Sequence, residues 1–207
     1  WLGSFAQDNG FSTYYNQKRS QFEQLPDDKH EIIFLGNSIT DFGNWAELFR
    51  NRRIKNRGIS GDTTDGVLYR LGEVTSSSPD KVFLMIGIND LSREVSKETV
   101  FENICKIARQ IRHDSPRTKV YVQSILPVNG AFTKFPRHIT KGEEVIWVNK
   151  QLRAWCARNS FPFIDLYSEF VRPGTQVLNP DYTNDGLHLT GAGYLHWVKL
   201  IGPLVKK

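Results

Sequence analysis

The stretch IIFLGNSIT, residues 32–40, decides how the chain is read. Four apolar residues run without alternation into Gly36-Asn37-Ser38. A short unbroken apolar run closed by a turn signal is the pattern of a strand covered on both faces. The serine then falls at the carboxyl end of that strand. A hydroxyl there has three uses: capping a helix, cradling a phosphate or acting as a nucleophile. The stretch alone leaves all three open.

Working outward, KVFLMIG (81–87) repeats the same pattern and reads as a central strand. RIKNRG (53–58), KVYVQSILP (119–127) and FPFIDL (161–166) complete a set of five. Helical segments separate them. A leading helix spans 11–25, with Tyr15, Phe22 and Leu25 among its apolar positions. Val67, Leu68, Leu71 and Val74 fit one helix, and another covers 97–113. Thr140 and Glu143 have the spacing of a capping box that opens the next. The last helix starts near Gly191 and keeps Leu195, Val198 and Ile201 on one side. Strands alternating with helices predict an α/β protein with a parallel sheet between two helical layers. No repeat, low-complexity tract or linker divides the 207 residues. The expectation is one three-layer α/β/α domain over 1–207, with 1–30 a leading helix and connection packed on the core. For five strands the common doubly wound arrangement is the flavodoxin-like order 2-1-3-4-5.

Composition narrows the function. Hydrophobic residues make up 39% of the chain and charged residues 24%, the balance of a soluble globular protein. No run approaches the roughly 18 apolar residues of a membrane span, so stable membrane insertion is not expected. The net charge is +5, and basic residues crowd RNRRIKNR, Arg50–Arg57. That run reads as a solvated helix end and loop, because no aromatic residues interleave it as a nucleic-acid surface would require. Cys105 shares a helical face with Phe101, Ile104, Ala108 and Ile111. Cys156 shares one with Val145, Val148, Leu152 and Trp155. Both thiols read as small core residues. The chain begins at Trp1, which suits a removed signal peptide and a periplasmic or secreted protein, with the cytoplasm as the other reading. No His- or Cys-rich spacing suggests a metal, and no cofactor is expected.

In the 2-1-3-4-5 order the ends of strands one, two and three are neighbours, and ligands bind where the order reverses. Strand one ends in Gly36-Asn37-Ser38, strand two runs into NRGISGDTT (56–64), and strand three ends in Gly87-Ile88-Asn89-Asp90. Together they supply a hydroxyl, glycine backbone N–H groups and a side-chain amide, the parts for acyl transfer. A base is available in NDGLHLTGAGY (184–194), where Asp185 precedes His188 by three residues. That spacing lets the carboxylate hold one imidazole nitrogen while the other faces the serine.

Four blocks, FLGNSIT, NRGISGDTT, IGIND and DGLHLTGAGY, lie in order between residues 34 and 194. With them the chain resembles the SGNH, or GDSL-type, esterase and lipase family. GDTT after Gly58 and the final block are most similar to the platelet-activating-factor acetylhydrolase-like branch, which includes many bacterial carbohydrate acetylesterases. The resemblance implies Ser38 as nucleophile, His188 as base and Asp185 as the residue orienting it. It also implies an oxyanion hole from the backbone N–H groups of Ser38 and Gly58 and the Asn89 amide. Asn37 stands where the family usually has Asp, which bears on the hydrogen bonding of the turn. Phe132 and Phe135, in the loop from Asn129 to Thr140, are divided between packing and lining a substrate pocket. Asp90 braces or caps its loop. His30, His113, His138 and His196 show no role in the sequence.

The expected reaction is removal of a short acyl group, acetyl above all, from a carbohydrate or similar polar alcohol. The partner is thus a small-molecule or oligosaccharide ester. Lysophospholipid or other lipid-ester hydrolysis is the alternative among enzymes. A flavodoxin-like protein holding phosphate at GNSIT is the alternative outside them, but it leaves Asp185 and His188 without a use.

Overall fold

The computed structural model describes residues 10–206. Five strands form one parallel sheet in the order β2-β1-β3-β4-β5. They are β1 (Ile32–Gly36), β2 (Ile54–Gly58), β3 (Lys81–Met85), β4 (Lys119–Gln123) and β5 (Phe163–Ile164). The register pairs Gly36 with Gly58 and with Met85, so the three strand ends expected to meet do meet. The fold class and strand order are those expected from the sequence. Strands β3 and β4 stop short of the apolar runs that announce them, and β5 keeps two residues of FPFIDL. Beyond those points the chain turns toward the site, and its apolar side chains stay buried outside the ladder: Ile86, Ile125, Leu126 and Leu166 are all core residues.

The helices are α1 (Thr13–Gln24), α2 (Ser38–Asp41), α3 (Trp45–Leu48), α4 (Thr64–Tyr69), α5 (Leu71–Thr75) and α6 (Ile88–Ser92). They continue as α7 (Lys97–Asp114), α8 (Pro136–Ile139), α9 (Gly142–Asn159), α10 (Tyr167–Phe170) and α11 (Gly191–Lys206). The chain steps one way from β1 to β2 and the other way from β2 through β3 and β4 to β5. Right-handed crossovers therefore put α3 on one face and α5, α7 and α9 on the other. On the first face Trp45 stacks on Phe34 at 4.4 Å and meets Trp197 of α11 edge-on at 4.9 Å. On the second, α7 and α9 bury the two faces that carry Cys105 and Cys156. Both thiols are free and buried, and burial pushes them up to about 12 and about 11 respectively.

Four local expectations are corrected. The helix expected through Val67 and Val74 is broken at Arg70, which leaves helical geometry and turns its side chain inward. The buried guanidinium donates to Asp62 (Nε–Oδ2 3.0 Å), Glu73 (Nη1–Oε1 2.8 Å), the Arg57 carbonyl (2.8 Å) and the Gly36 carbonyl (3.3 Å). Arg57, expected in solvent, is buried too and donates to Glu73 at 3.0 Å. Charged residues enter a core when every one is paired, as here. The capping box is absent: Lys141 holds the N-cap position of α9 with no side-chain capping bond, and the Thr140 hydroxyl donates back to the carbonyls of Pro136 and Arg137 in α8. The buried side of α11 is Tyr194, Trp197, Ile201 and Val205, while Leu195, one step round the helix, is 62% exposed.

The leading helix is present as α1. Its Tyr15 and Phe22 form a small apolar cluster with Ile59, and Leu25 is exposed beyond its end. The Tyr15 hydroxyl donates to the Gly66 carbonyl at 2.7 Å and anchors α1 to α4. Residues 1–9 of the expected leading segment lie outside the described residues.

Candidate active site

Ser38 is the first residue of α2, directly after β1. Asn37 makes the turn: its side chain accepts from the Ile39 N–H at 3.1 Å and caps the short helix. An amide oxygen serves here as a carboxylate would, so the departure at this position leaves the turn's hydrogen bond in place. The Ser38 N–H, as the first of a helix, has no intrahelical acceptor. Its side chain meets His188, with Oγ and Nε2 2.9 Å apart. His188 Nδ1 lies 2.8 Å from Asp185 Oδ2. The carboxylate only accepts, so Nδ1 carries the proton, and Nε2 presents its lone pair to the Ser38 hydroxyl.

Asp185 is fixed from its own loop. Its Oδ1 accepts from the N–H groups of His188 (2.7 Å) and Leu187 (2.9 Å). Burial alone would raise its carboxyl, but these N–H groups and the His188 ring outweigh it and hold the group below the usual carboxylate range. The imidazole sits between two rings, Phe135 at 4.9 Å and Phe42 at 5.2 Å between centroids. Phe132 does not line the cavity. It packs under the base loop, where a side chain on Gly186 would stand 2.9 Å from its Cβ.

Asn89 is the second residue of α6, after β3. Its Nδ2 donates one hydrogen to the Asp62 carbonyl at 2.8 Å and keeps the other for the cavity that it lines. That bond orients the amide, so Oδ1 faces His138, whose Nε2–H donates to it at 3.0 Å. Burial, His188, Arg93 and Arg137 together hold the His138 imidazole below the ordinary histidine range. His138 has no local sequence signal, because its partner is 49 residues away. Asp90 braces the same corner by accepting from the Thr64 backbone (3.0 Å) and hydroxyl (2.6 Å).

Gly58 is the correction in this set. Its N–H donates to Asn56 Oδ1 at 2.8 Å, and it lies under α2 rather than on the cavity. Glycine is needed there for close approach, since an added Cβ would fall 2.2 Å from the Asp41 nitrogen. Three residues on, Gly61 does line the cavity. It has φ +80°, and its N–H makes no hydrogen bond within the described residues. A left-handed glycine in the loop after a strand is a means of turning a backbone N–H outward. The alternation of two glycines in GISG is the signal that a reading on Gly58 passes over.

Ser38, Gly61, Asn89, His138 and His188 line one cavity of about 420 Å³. Its apolar wall is Phe42, Phe135 and Leu187, and its polar rim includes Ser60, Ser92, Arg93 and Arg137. A hydroxyl, an imidazole held by a carboxylate, and three N–H donors around it can attack a carbonyl and stabilise the resulting oxyanion.

Residues 34–195 match the model of the GDSL-like lipase/acylhydrolase family. Among curated relatives, the alpha1 subunit of platelet-activating factor acetylhydrolase IB from Rattus norvegicus is 30% identical over 177 residues, covering 81% of this chain and 72% of its own. The alpha2 subunit from the same organism is 28% identical over 185 residues, covering 86% and 77%. Among solved structures, a GDSL-like lipase from Bacteroides thetaiotaomicron superposes with a TM-score of 0.80 at 28% identity, covering 93% of this chain and 97% of that one.

Proposed function

We infer the reaction from a plain premise: the chain belongs to the GDSL-like lipase/acylhydrolase family and is an ester hydrolase. The observation that carries the mechanism is the continuous line from Ser38 Oγ through His188 to Asp185, opening into the cavity that Asn89 and Gly61 also line. Ser38 Oγ attacks the ester carbonyl carbon as His188 Nε2 takes its proton. Asp185 stabilises the imidazolium. The oxyanion rests on the N–H groups of Ser38 and Gly61 and on the Asn89 amide. The C–O bond to the alcohol then breaks, and His188 protonates the departing oxygen. Water, deprotonated by His188, attacks the acyl-enzyme in turn and releases the acid and free Ser38.

The substrate is a short-chain ester, acetyl above all, of a carbohydrate or similar polar alcohol. The mixed lining supports this: rings suited to a sugar face beside serine, asparagine and arginine groups. A second reading, lipid-ester hydrolysis, is favoured by the names of the relatives and by Phe42, which is 55% exposed at the cavity. Labelling with a fluorophosphonate probe tests the mechanism. Ser38→Ala should abolish labelling and nearly all hydrolysis; turnover within a few-fold of the parent overturns it. A series of p-nitrophenyl esters separates the substrates. Activity falling beyond about C4 to C6 fits the limited volume, and a maximum at about C10 or longer selects the lipid ester.

A further inference from the structure

We propose that the alcohol part of the substrate carries an anionic group, a carboxylate or a phosphate, held by Arg137 with Arg93 at the rim of the cavity. This rests on the ester-hydrolase reading and adds the charge of the substrate to it.

Both guanidiniums stand at the same opening as Ser38, and both side chains are exposed. No aspartate or glutamate lines that cavity among the described residues. The nearby carboxylates are already engaged. Glu94, next to Arg93, is paired with Lys141 at 3.0 Å. Asp41 accepts from Tyr14 (2.7 Å) and from Ser60 (2.8 Å), and Asp62 is taken by the buried Arg70. Arg93 spends one N–H on the Gly61 carbonyl at 2.9 Å and keeps its other donors. Arg137 makes no ion pair or hydrogen bond from its side chain within the described residues. Both arginines also help to hold the His138 imidazole below the ordinary histidine range.

Two arginines lining one cavity that no carboxylate lines give its opening a positive potential. Guanidinium forks match the planar oxygens of carboxylate and phosphate, and a cavity rim of one sign concentrates ligands of the other. The acyl group of the proposed substrate is short and neutral, so the charge belongs on the leaving alcohol. Phe42 and Phe135 line the same cavity and can receive the body of that alcohol.

The test measures kcat/KM for matched acetyl esters at low and high salt. One pair is 4-acetoxybenzoate and 4-acetoxybenzamide. A second is an O-acetylated hexuronic acid and its methyl ester. A third is acetylated glycerol 3-phosphate and acetylated glycerol. The readout is the charged-to-neutral ratio, which cancels intrinsic differences in reactivity when proteins are compared. Arg137→Gln should lower that ratio about 10- to 100-fold, the usual weight of hydrogen bonds to a charged group, and 0.5 M salt should lower it in the parent. The second and third pairs say whether the natural anion is a sugar carboxylate or a phosphate. Arg93→Gln is the supporting variant only, because Arg93 also holds Gly61. A ratio that neither Arg137→Gln nor salt changes overturns the anion site. So does a ratio that falls for p-nitrophenyl hemisuccinate and not for the acetyl esters, since that puts the charge on the acyl side. Either result with Ser38-dependent turnover leaves the hydrolase standing; turnover that survives Ser38→Ala sinks the hydrolase instead.

Discussion

Asp185 and His188 are three residues apart and are held by bonds that reach two or three positions along the chain. Asn89 and Gly61 are held by bonds that span 27, 49 and 32 residues, to Asp62, His138 and Arg93. The triad's own hydrogen bonds on the base side are thus local to one loop, which Asn129, Phe132 and Phe135 support from outside. The oxyanion side is assembled by the whole fold, over a buried network in which Arg70 joins Asp62, Glu73 and the carbonyls at the ends of β1 and β2. A local device should fail alone when it is damaged. An assembled one should fail together with stability, or with a remote partner.

The largest effect is expected on the base side. Asp185→Asn removes the carboxylate that sets the His188 tautomer. In the serine-protease triad this change costs about 10⁴ in kcat, and a similar loss is expected here with little change in the urea midpoint of unfolding. A large drop in that midpoint would show that the local bonds of Asp185 carry stability as well as chemistry.

Arg70→Met is expected to act the other way. It leaves Asp62 buried without its cation and Glu73 with Arg57 alone, and breaking a buried pair typically costs about 3–5 kcal/mol. Urea unfolding should register that loss, and a change under about 1 kcal/mol would remove the network from any supporting role. Next in size is Asn89→Ala. Loss of one oxyanion donor lowers kcat by about 10² to 10³. If the loss falls in KM instead, Asn89 binds the ground state.

The smallest effects come from His138. Breaking its single bond to Asn89 in His138→Leu should lower kcat about 3- to 10-fold, as for an ordinary hydrogen bond. It should cost nothing further on the Asn89→Ala background, and additive losses would separate the two residues. His138 also predicts a pH dependence of stability. Its folded value lies below the ordinary one of about 6.5. Between the two, the unfolded chain binds a proton that the folded chain does not, so stability falls as pH drops through that window. The parent should therefore lose more Tm between pH 7 and pH 5.5 than His138→Leu does. Equal losses would show that the imidazole titrates alike in both states.

The same contrast explains what could be read in the sequence. Strand order followed from alternation and length. Ser38, Asn89, Asp185 and His188 stood out because each sits at a strand end or beside its own partner. Arg57 and Arg70 did not, since a charged residue reads as solvent-facing until Asp62 and Glu73 are known to meet it in the core. Gly58 and Gly61 are both turn glycines in sequence, and only the Asn56 side chain decides which N–H is spent. His138 and Arg137 sit on a short helix in a loop without periodicity, and their meaning depends entirely on where α8 settles.

The segment around α8 has a consequence for anyone who would redesign this protein. Phe132 lies under Gly186, Phe135 covers the His188 ring and His138 aligns Asn89, all from one stretch of seven residues that also carries Arg137. Selectivity and reactivity are therefore not separate modules. A loop transplanted from a relative to change the alcohol accepted would bring the wrong supports for both the imidazole and the amide. Laboratory evolution toward a new ester should keep those three positions and vary Arg137 and its exposed neighbours first.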